Sequence, residues 1–127
     1  LYIALPVGLI TDGILHSNNT RDMRTDARAG ITTMAMSMGP KAAAWLYGFE
    51  MIFPYVWVGV LSMTGILPVH TVAIFLTLVL AISTAKIMRN SLEGGVGMIA
   101  DLDVKTANLQ LVFSILLALA LLTAGIF

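Results

Sequence analysis

Two stretches of this chain are almost free of charge, and they limit what it can fold into more than any other feature. Between Ala42 and Ala85 the only Asp, Glu, Lys or Arg is Glu50, and from Thr106 to Phe127 there is none. Crossing the hydrocarbon core of a bilayer takes roughly 20 mostly apolar residues. In lipid every backbone N–H and C=O needs an internal partner, which a helix supplies within one segment. The pattern predicts an all-α, polytopic transmembrane helix bundle. Charged residues make up 11% of the chain, where a soluble domain carries about 25%. Seven acidic groups balance seven basic ones, so there is no cationic surface for nucleic acid. Cysteine is absent, which excludes disulfides, thiolate metal sites and iron–sulfur clusters.

Four apolar stretches read as spans: Leu1 to about His16, about Ala42 to Leu67, about Val69 to Ile87, and Ala107 to Phe127. The first is short and interrupted by Pro6 and Asp12; Pro54 is the expected kink of the second. The chain opens on Leu1 inside an apolar run with no basic stretch ahead of it. It is therefore not a signal peptide, and the expectation is that an N-terminal part precedes it. The linkers differ. Ser17 to Lys41 is polar, with Gly30 and Gly39-Pro40 as stops; Leu67 to His70 is a tight turn; Asn90 to Lys105 is glycine-rich. Asp103 or Thr106 is the expected cap of the last helix. Arg21, Arg24, Arg28 and Lys41 lie in the first linker and Lys86, Arg89 and Lys105 flank the third, while the second has none. Alternating spans with the basic linkers inside put the first and third linkers in the cytoplasm and Phe127 on the far side.

The densest chemistry runs from His16 to Asp26. Asn18, Asp22 and Asp26 are four apart, so on a continuing helix they form a stripe that drifts about 40° per step. Asn19, Asp12 and His16 extend it, and Arg21, Arg24 and Arg28 gather on the opposite side. Mg²⁺ takes hard oxygen ligands and is usually held by one or two carboxylates plus substrate phosphates. Two carboxylates one turn apart at a membrane edge suit a metal that grips the diphosphate head of a lipid-tailed substrate. The same residues also fit a solvated helix end with weak Asp–Arg pairs. The two readings stay open on spacing alone.

Other polar groups carry less. Asp12 is either a functional group facing the bundle interior or an interfacial acid paired with His16. Glu50 is expected to hydrogen-bond a neighbour as the neutral acid. His70 is expected to be exposed. Trp45, Tyr47, Tyr55 and Trp57 read as packing or interface aromatics, one of which can face a carbocation. The alternation Met34, Met36, Met38 suggests a short interfacial amphipathic segment.

Leu5-Pro6-Val7-Gly8-Leu9, then Leu15-His16-Ser17-Asn18-Asn19-Thr20-Arg21-Asp22, then Asp26-Ala27-Arg28-Ala29-Gly30-Ile31 resemble the UbiA superfamily of intramembrane prenyltransferases. Thr33-Met34-Ala35 leading to Gly39-Pro40 extends the likeness, and Lys105-Thr106-Ala107-Asn108-Leu109-Gln110-Leu111 resembles the start of that family's last span. Within it the chain looks most like the 1,4-dihydroxy-2-naphthoate polyprenyltransferases of menaquinone synthesis and their animal vitamin K relatives. The resemblance implies a nine-span fold with two Asp-rich motifs on cytoplasmic loops. Residues 1–127 would be the C-terminal part of one such domain, holding the last four spans and the second motif. It implies that Asp22 and Asp26 are catalytic and hold Mg²⁺, and that Asn18, Asn19, Arg21 and Arg28 bind substrate. It also implies a polyprenyl diphosphate donor, a dihydroxynaphthoate-like aromatic acceptor, and a bacterial cell membrane as the setting.

The chain departs from that pattern in places. Thr32 stands where many members have a basic residue, Asp12 is unexpected in its span, and the first Asp-rich motif is not in these residues. Three alternatives therefore accompany the reading. One is a UbiA-type enzyme with another acceptor, such as a hydroxybenzoate, a homogentisate or a chlorophyllide. Another is a proton-coupled transporter piece with Asp12, His16 and Glu50 as relay. The last is a CDP-alcohol phosphotransferase, whose Asp-Gly…Ala-Arg pattern fails after Asp12-Gly13.

Overall fold

Gly39-Pro40 divides the chain where the sequence places a break, whereas the helix that follows ends at Met63 and the chain turns at Gly65, ahead of the Leu67 to His70 turn the sequence suggests. The computed structural model describes residues 1–125, and the far-side end expected at Phe127 lies outside them. Helix α1 spans Ala4–Arg21, α2 Met23–Arg28, α3 Met34–Met38, α4 Pro40–Met63, α5 Leu78–Gly94 and α6 Leu102–Thr123. Two 3₁₀ segments, Val69–Thr77 and Val96–Ile99, lead into α5 and α6. No strand occurs among the described residues. Pro40–Met63, Val69–Gly94 and Val96–Thr123 are long and apolar enough to cross a membrane. Helix α1 has the length of a span but carries Asp12 and the polar run from His16 to Arg21. The chain is an all-α membrane bundle in which α1 packs as a fourth helix against α4 and α6.

The linkers close by glycine chemistry. Gly30 (φ 73°) and Gly65 (φ 74°) take the left-handed conformation. The amide of Ile31 donates to the Asp26 carbonyl and that of Gly30 to Ala27; Ile66 donates to Leu61 and Gly65 to Ser62. Both are Schellman endings, and a residue with a Cβ would be strained there. The first ends α2 at the polar end of the molecule; the second ends α4 at the bare linker.

Burial against lipid tails gives little net drive between helices, because the tails are as apolar as leucine; packing and interhelical hydrogen bonds do that work. Helix α4 is the hub, packed on α1, α5 and the Val69–Thr77 segment. Its Tyr47, Met51, Tyr55 and Val58 are buried with Ile10 of α1, Met88 of α5 and Leu109 and Phe113 of α6. Tyr47 Oη lies 2.6 Å from Thr106 Oγ1, and Tyr55 Oη 2.7 Å from Thr77 Oγ1. Each threonine gives its one proton to a carbonyl of its own helix, Leu102 or Ile74, so each tyrosine is the donor. Helix α1 meets the others along Ile10, Gly13, Ser17 and Thr20, all buried. Gly13 has no room for a side chain: an added Cβ would run into Met51 and approach Glu50 and Thr106.

Four expectations change. Neither Asp103 nor Thr106 caps α6. Its N-cap is Asp101, without a side-chain cap bond; Asp103 pairs with Arg21 and Thr106 turns inward to Tyr47. The glycine-rich linker is shorter than Asn90–Lys105, because α5 runs to Gly94 and α6 begins at Leu102. The third span starts as nine residues of 3₁₀ helix, a tighter winding that periodicity does not separate from α. Asp12 is exposed and does not pair with His16. His16 Nδ1 instead lies 3.0 and 3.1 Å from the two carboxyl oxygens of Glu50 on α4. Pro54 is accommodated without ending α4, although it removes the donor that would meet the Glu50 carbonyl.

Candidate functional site

Helix α1 ends at Asp22 because the backbone there leaves helical geometry (φ −92°, ψ 4°). The ladder nevertheless continues across the break: the Asp22 amide donates to the Asn18 carbonyl and the Asp26 amide to the Asp22 carbonyl, both at 2.9 Å. Asn18, Asp22 and Asp26 thus keep their one-turn succession through a bend. All three, with Asn19 and Arg21, are half-buried.

Arg21 organises this end of the molecule. Its Nε donates to Asp22 Oδ1 at 2.9 Å, and Nη2 to Asp22 Oδ2 at 3.1 Å and Asn18 Oδ1 at 2.7 Å. Nη1 donates to the Ala100 carbonyl and lies 3.1 Å from Asp103 Oδ1. One guanidinium therefore ties the end of α1 to the start of α6. Arg24 and Arg28 are exposed, and the expected separation of an oxygen face from a cationic face fails for Arg21. Its long side chain folds back onto the carboxylate of the next residue, which the bend at Asp22 brings within reach.

The Arg21 guanidinium holds the Asp22 carboxyl below the ordinary value of 3.8, chiefly by direct hydrogen bonding and against some desolvation. A depressed folded-state value means the pair contributes stability above the ordinary pKa and loses it as pH falls through the folded value. The Asp22 side chain is 43% exposed, so solvent screening keeps the contribution small. A carboxyl-carbon NMR titration is expected to place the Asp22 midpoint below 3.8 and to return it towards 3.8 in Arg21→Gln.

Asp26 makes no side-chain hydrogen bond among the described residues, nor does Asn19, and Arg24 and Arg28 form no ion pair among them. No group of three or more His, Cys, Asp or Glu close enough to hold a metal occurs among the described residues. A cavity of about 530 Å³ opens beside the motif, lined by Thr20, Arg21, Arg24, Lys41, Met88 and Ile99 among others. It brings the first and third linkers to one end of the bundle. Arg21 and Arg24 of the motif line it, while Asp22, Asp26 and Arg28 do not.

Sequence reasoning missed the Arg21–Asp103 tie and the cation-lined cavity, and it linked His16 to Glu50 only within the relay alternative, giving Glu50 a hydrogen-bonded neighbour without naming it. That pairing had a signal. A lone base and a lone acid in separate apolar stretches must find each other when buried. His16 is 4% and Glu50 2% exposed, and the other ring nitrogen, Nε2, has no partner among the described residues. Exposed Asp12 is not continuous with this pair, so the three-member relay lacks a link.

The sequence profile of the UbiA prenyltransferase family matches residues 1–93. The chain is 45% identical over 62 residues to the UbiA prenyltransferase domain-containing protein 1 of Xenopus tropicalis, a match covering 49% of this chain and 18% of that protein. The human protein of that name gives the same identity over the same length, with the same shares. The Drosophila melanogaster homolog is 50% identical over 52 residues, covering 41% of this chain and 14% of the fly protein. The matched stretch thus spans less than a fifth of each of these curated relatives. With the profile covering well over half of its residues and the helical architecture in agreement, the chain belongs to the UbiA prenyltransferase family.

Proposed function

We propose that residues 1–127 are the C-terminal part of a Mg²⁺-dependent intramembrane prenyltransferase. In this reading it transfers a polyprenyl group from an allylic diphosphate to 1,4-dihydroxy-2-naphthoate, a step of menaquinone biosynthesis. The observation that carries the proposal is the Arg21-centred end of α1, where Asn18, Asp22 and Asp26 follow one another by helical turns inside a family match. The first acidic motif and the wall opposite Asp22 and Asp26 are proposed to come from the rest of the enzyme.

The donor set fits Mg²⁺ by chemistry. Asp22 and Asp26 offer hard carboxylate oxygens one turn apart, those of Asp22 shared with Arg21 and those of Asp26 unengaged among the described residues, and waters and substrate phosphate complete such a shell. When bound, the ion would supply charge neutralisation at the diphosphate as the allylic C–O bond breaks. The remaining work falls to the chain. Arg21 has donors on Asn18 and Asp22 that a diphosphate can share, and Arg28 is exposed and forms no ion pair among the described residues; both would hold the leaving group by charge-assisted bonds. Asn18 and Asn19 would orient it. The apolar helices exclude water from the allylic cation, which the electron-rich naphthoate ring attacks with loss of its carboxylate. The positive-inside pattern supports a cytoplasmic motif. A bacterial cell membrane is the setting that a menaquinone route implies.

The test supplies the enzyme with an allylic diphosphate and, in turn, dihydroxynaphthoate, hydroxybenzoate and homogentisate. The expected result is a prenylated, decarboxylated naphthol, with turnover at least about 100-fold lower in EDTA. Preference for another acceptor would overturn the naphthoate assignment, and turnover indifferent to EDTA would overturn the role of the metal.

A further inference from the structure

Helix α4 carries a ladder of rings at four-residue spacing. Trp45 and Phe49 lie 6.1 Å apart between centroids, Phe49 and Phe53 4.8 Å, and Phe53 and Trp57 6.0 Å. Trp45 is 72% exposed. Its first three rings form one wall of a groove of about 740 Å³ between α4 and α5. The mouth of the groove, at the basic end of the bundle, is set by Lys41, Lys86 and Arg89. No carboxylate lines it among the described residues. All three cations are exposed, and none forms an ion pair among those residues.

This combination suits one kind of occupant. An apolar trough with a cationic mouth matches an amphiphile that has an anionic head and a long chain. From Lys41 to Val56 the groove follows α4 for about 22 Å at 1.5 Å per residue, and a leaflet's half of the hydrocarbon core is about 15 Å. Trp45 stands one turn inside Lys41, where an interfacial tryptophan meets the headgroup region. The three cations would neutralise a phosphate without a metal, since no acidic residue lines the groove among the described residues; Lys41 is shared with the cavity beside the motif. We infer that the α4–α5 groove is a binding site for an anionic phospholipid of the same leaflet, its phosphate held by Lys41, Lys86 and Arg89 and one acyl chain lying along Trp45, Phe49 and Phe53.

Trp45 reports occupancy. The protein is reconstituted in phosphatidylcholine bilayers containing a minor fraction of chain-brominated phosphatidylglycerol or, separately, of chain-brominated phosphatidylcholine. The Trp45 signal is the difference from Trp45→Phe. The brominated anionic lipid is expected to bind at least about fivefold more tightly than the zwitterionic one. Lys86→Gln is expected to cut that preference by up to about fivefold, and the triple variant Lys41→Gln, Lys86→Gln, Arg89→Gln to abolish it. Equal quenching by the two lipids in the unaltered protein overturns the inference. So does an undiminished preference in Lys86→Gln, which changes one exposed side chain and decides the matter even if the triple variant does not fold. Displacement of the brominated lipid by a polyprenyl diphosphate but not by excess phosphatidylglycerol also overturns it, and would give the groove to the substrate.

Discussion

Asp26→Ala is expected to lower prenyl transfer by at least about 100-fold while the protein stays in the membrane. Asp26 is half-buried at the motif and unengaged by any side chain among the described residues, so its removal breaks no contact that holds the fold. The effect should fall on turnover with little change in helix content or membrane recovery. Asp22→Ala is expected to be as severe for a partly different reason. Arg21 loses two of its bonds and is left on Asn18, Asp103 and the Ala100 carbonyl, so the proposed metal ligand and the poise of the proposed diphosphate-binding cation go together. Asp22→Asn separates these, because it keeps a hydrogen-bond acceptor for Arg21 while removing the charge. Turnover with labelled prenyl diphosphate, read against the membrane-bound amount of each variant, is the measurement. Mg²⁺-dependent turnover within about tenfold of the parent in both Ala variants would remove these residues from the mechanism.

Glu50→Leu is expected to cost about 3 kcal/mol of stability, at the lower end of what breaking one side of a buried pair costs. That exceeds the roughly 0.6 kcal/mol typical of a single interhelical hydrogen bond in a membrane. The difference lies in what remains. His16 Nε2 already lacks a partner among the described residues, so losing Glu50 strands both ring nitrogens in a packed core beside Tyr47. The double variant His16→Phe, Glu50→Leu replaces both polar groups with apolar ones and is expected to recover most of the loss, to within about 1 kcal/mol of the parent. Thermal unfolding in detergent measures both. Equal losses in the single and double variants would mean that the pair matters through shape and not through its polar contact.

Much of the architecture was legible because it depends on properties that sequence carries directly. Charge-free length gave the spans, Gly39-Pro40 and Gly30 gave the breaks, and basic linkers gave their common end. What stayed hidden depends on partners distant in the chain or on fine backbone geometry. His16 and Glu50 are 34 residues apart, and Arg21 reaches Asp103 from a different linker. Asp12 and His16, one turn apart, suggested a pair. The interface of α1 is instead a narrow strip centred on the small residues Gly13, Ser17 and Thr20, with His16 inside its edge and Asp12 outside. The Gly13-x-x-x-Ser17 spacing, a close-approach pattern for membrane helices, was the overlooked clue. For the candidate site, helical spacing correctly put Asn18, Asp22 and Asp26 in succession. The Arg21–Asp22 contact is the Asp–Arg neighbour pairing that the alternative reading of the same residues allows.

The 3₁₀ winding of Val69–Thr77 changes how far the third span reaches. Nine residues at about 2.0 Å each, followed by the 17 of α5 at 1.5 Å, make a rod of roughly 44 Å. The hydrocarbon slab is about 30 Å thick. The excess must be absorbed by leaning or by overhang, and the basic residues of α5 fix where it goes, since Lys86 and Arg89 stop at the headgroups. In a thinner bilayer more of this rod must lean or overhang, a mismatch that the same 26 residues wound wholly as α-helix would carry to a smaller degree.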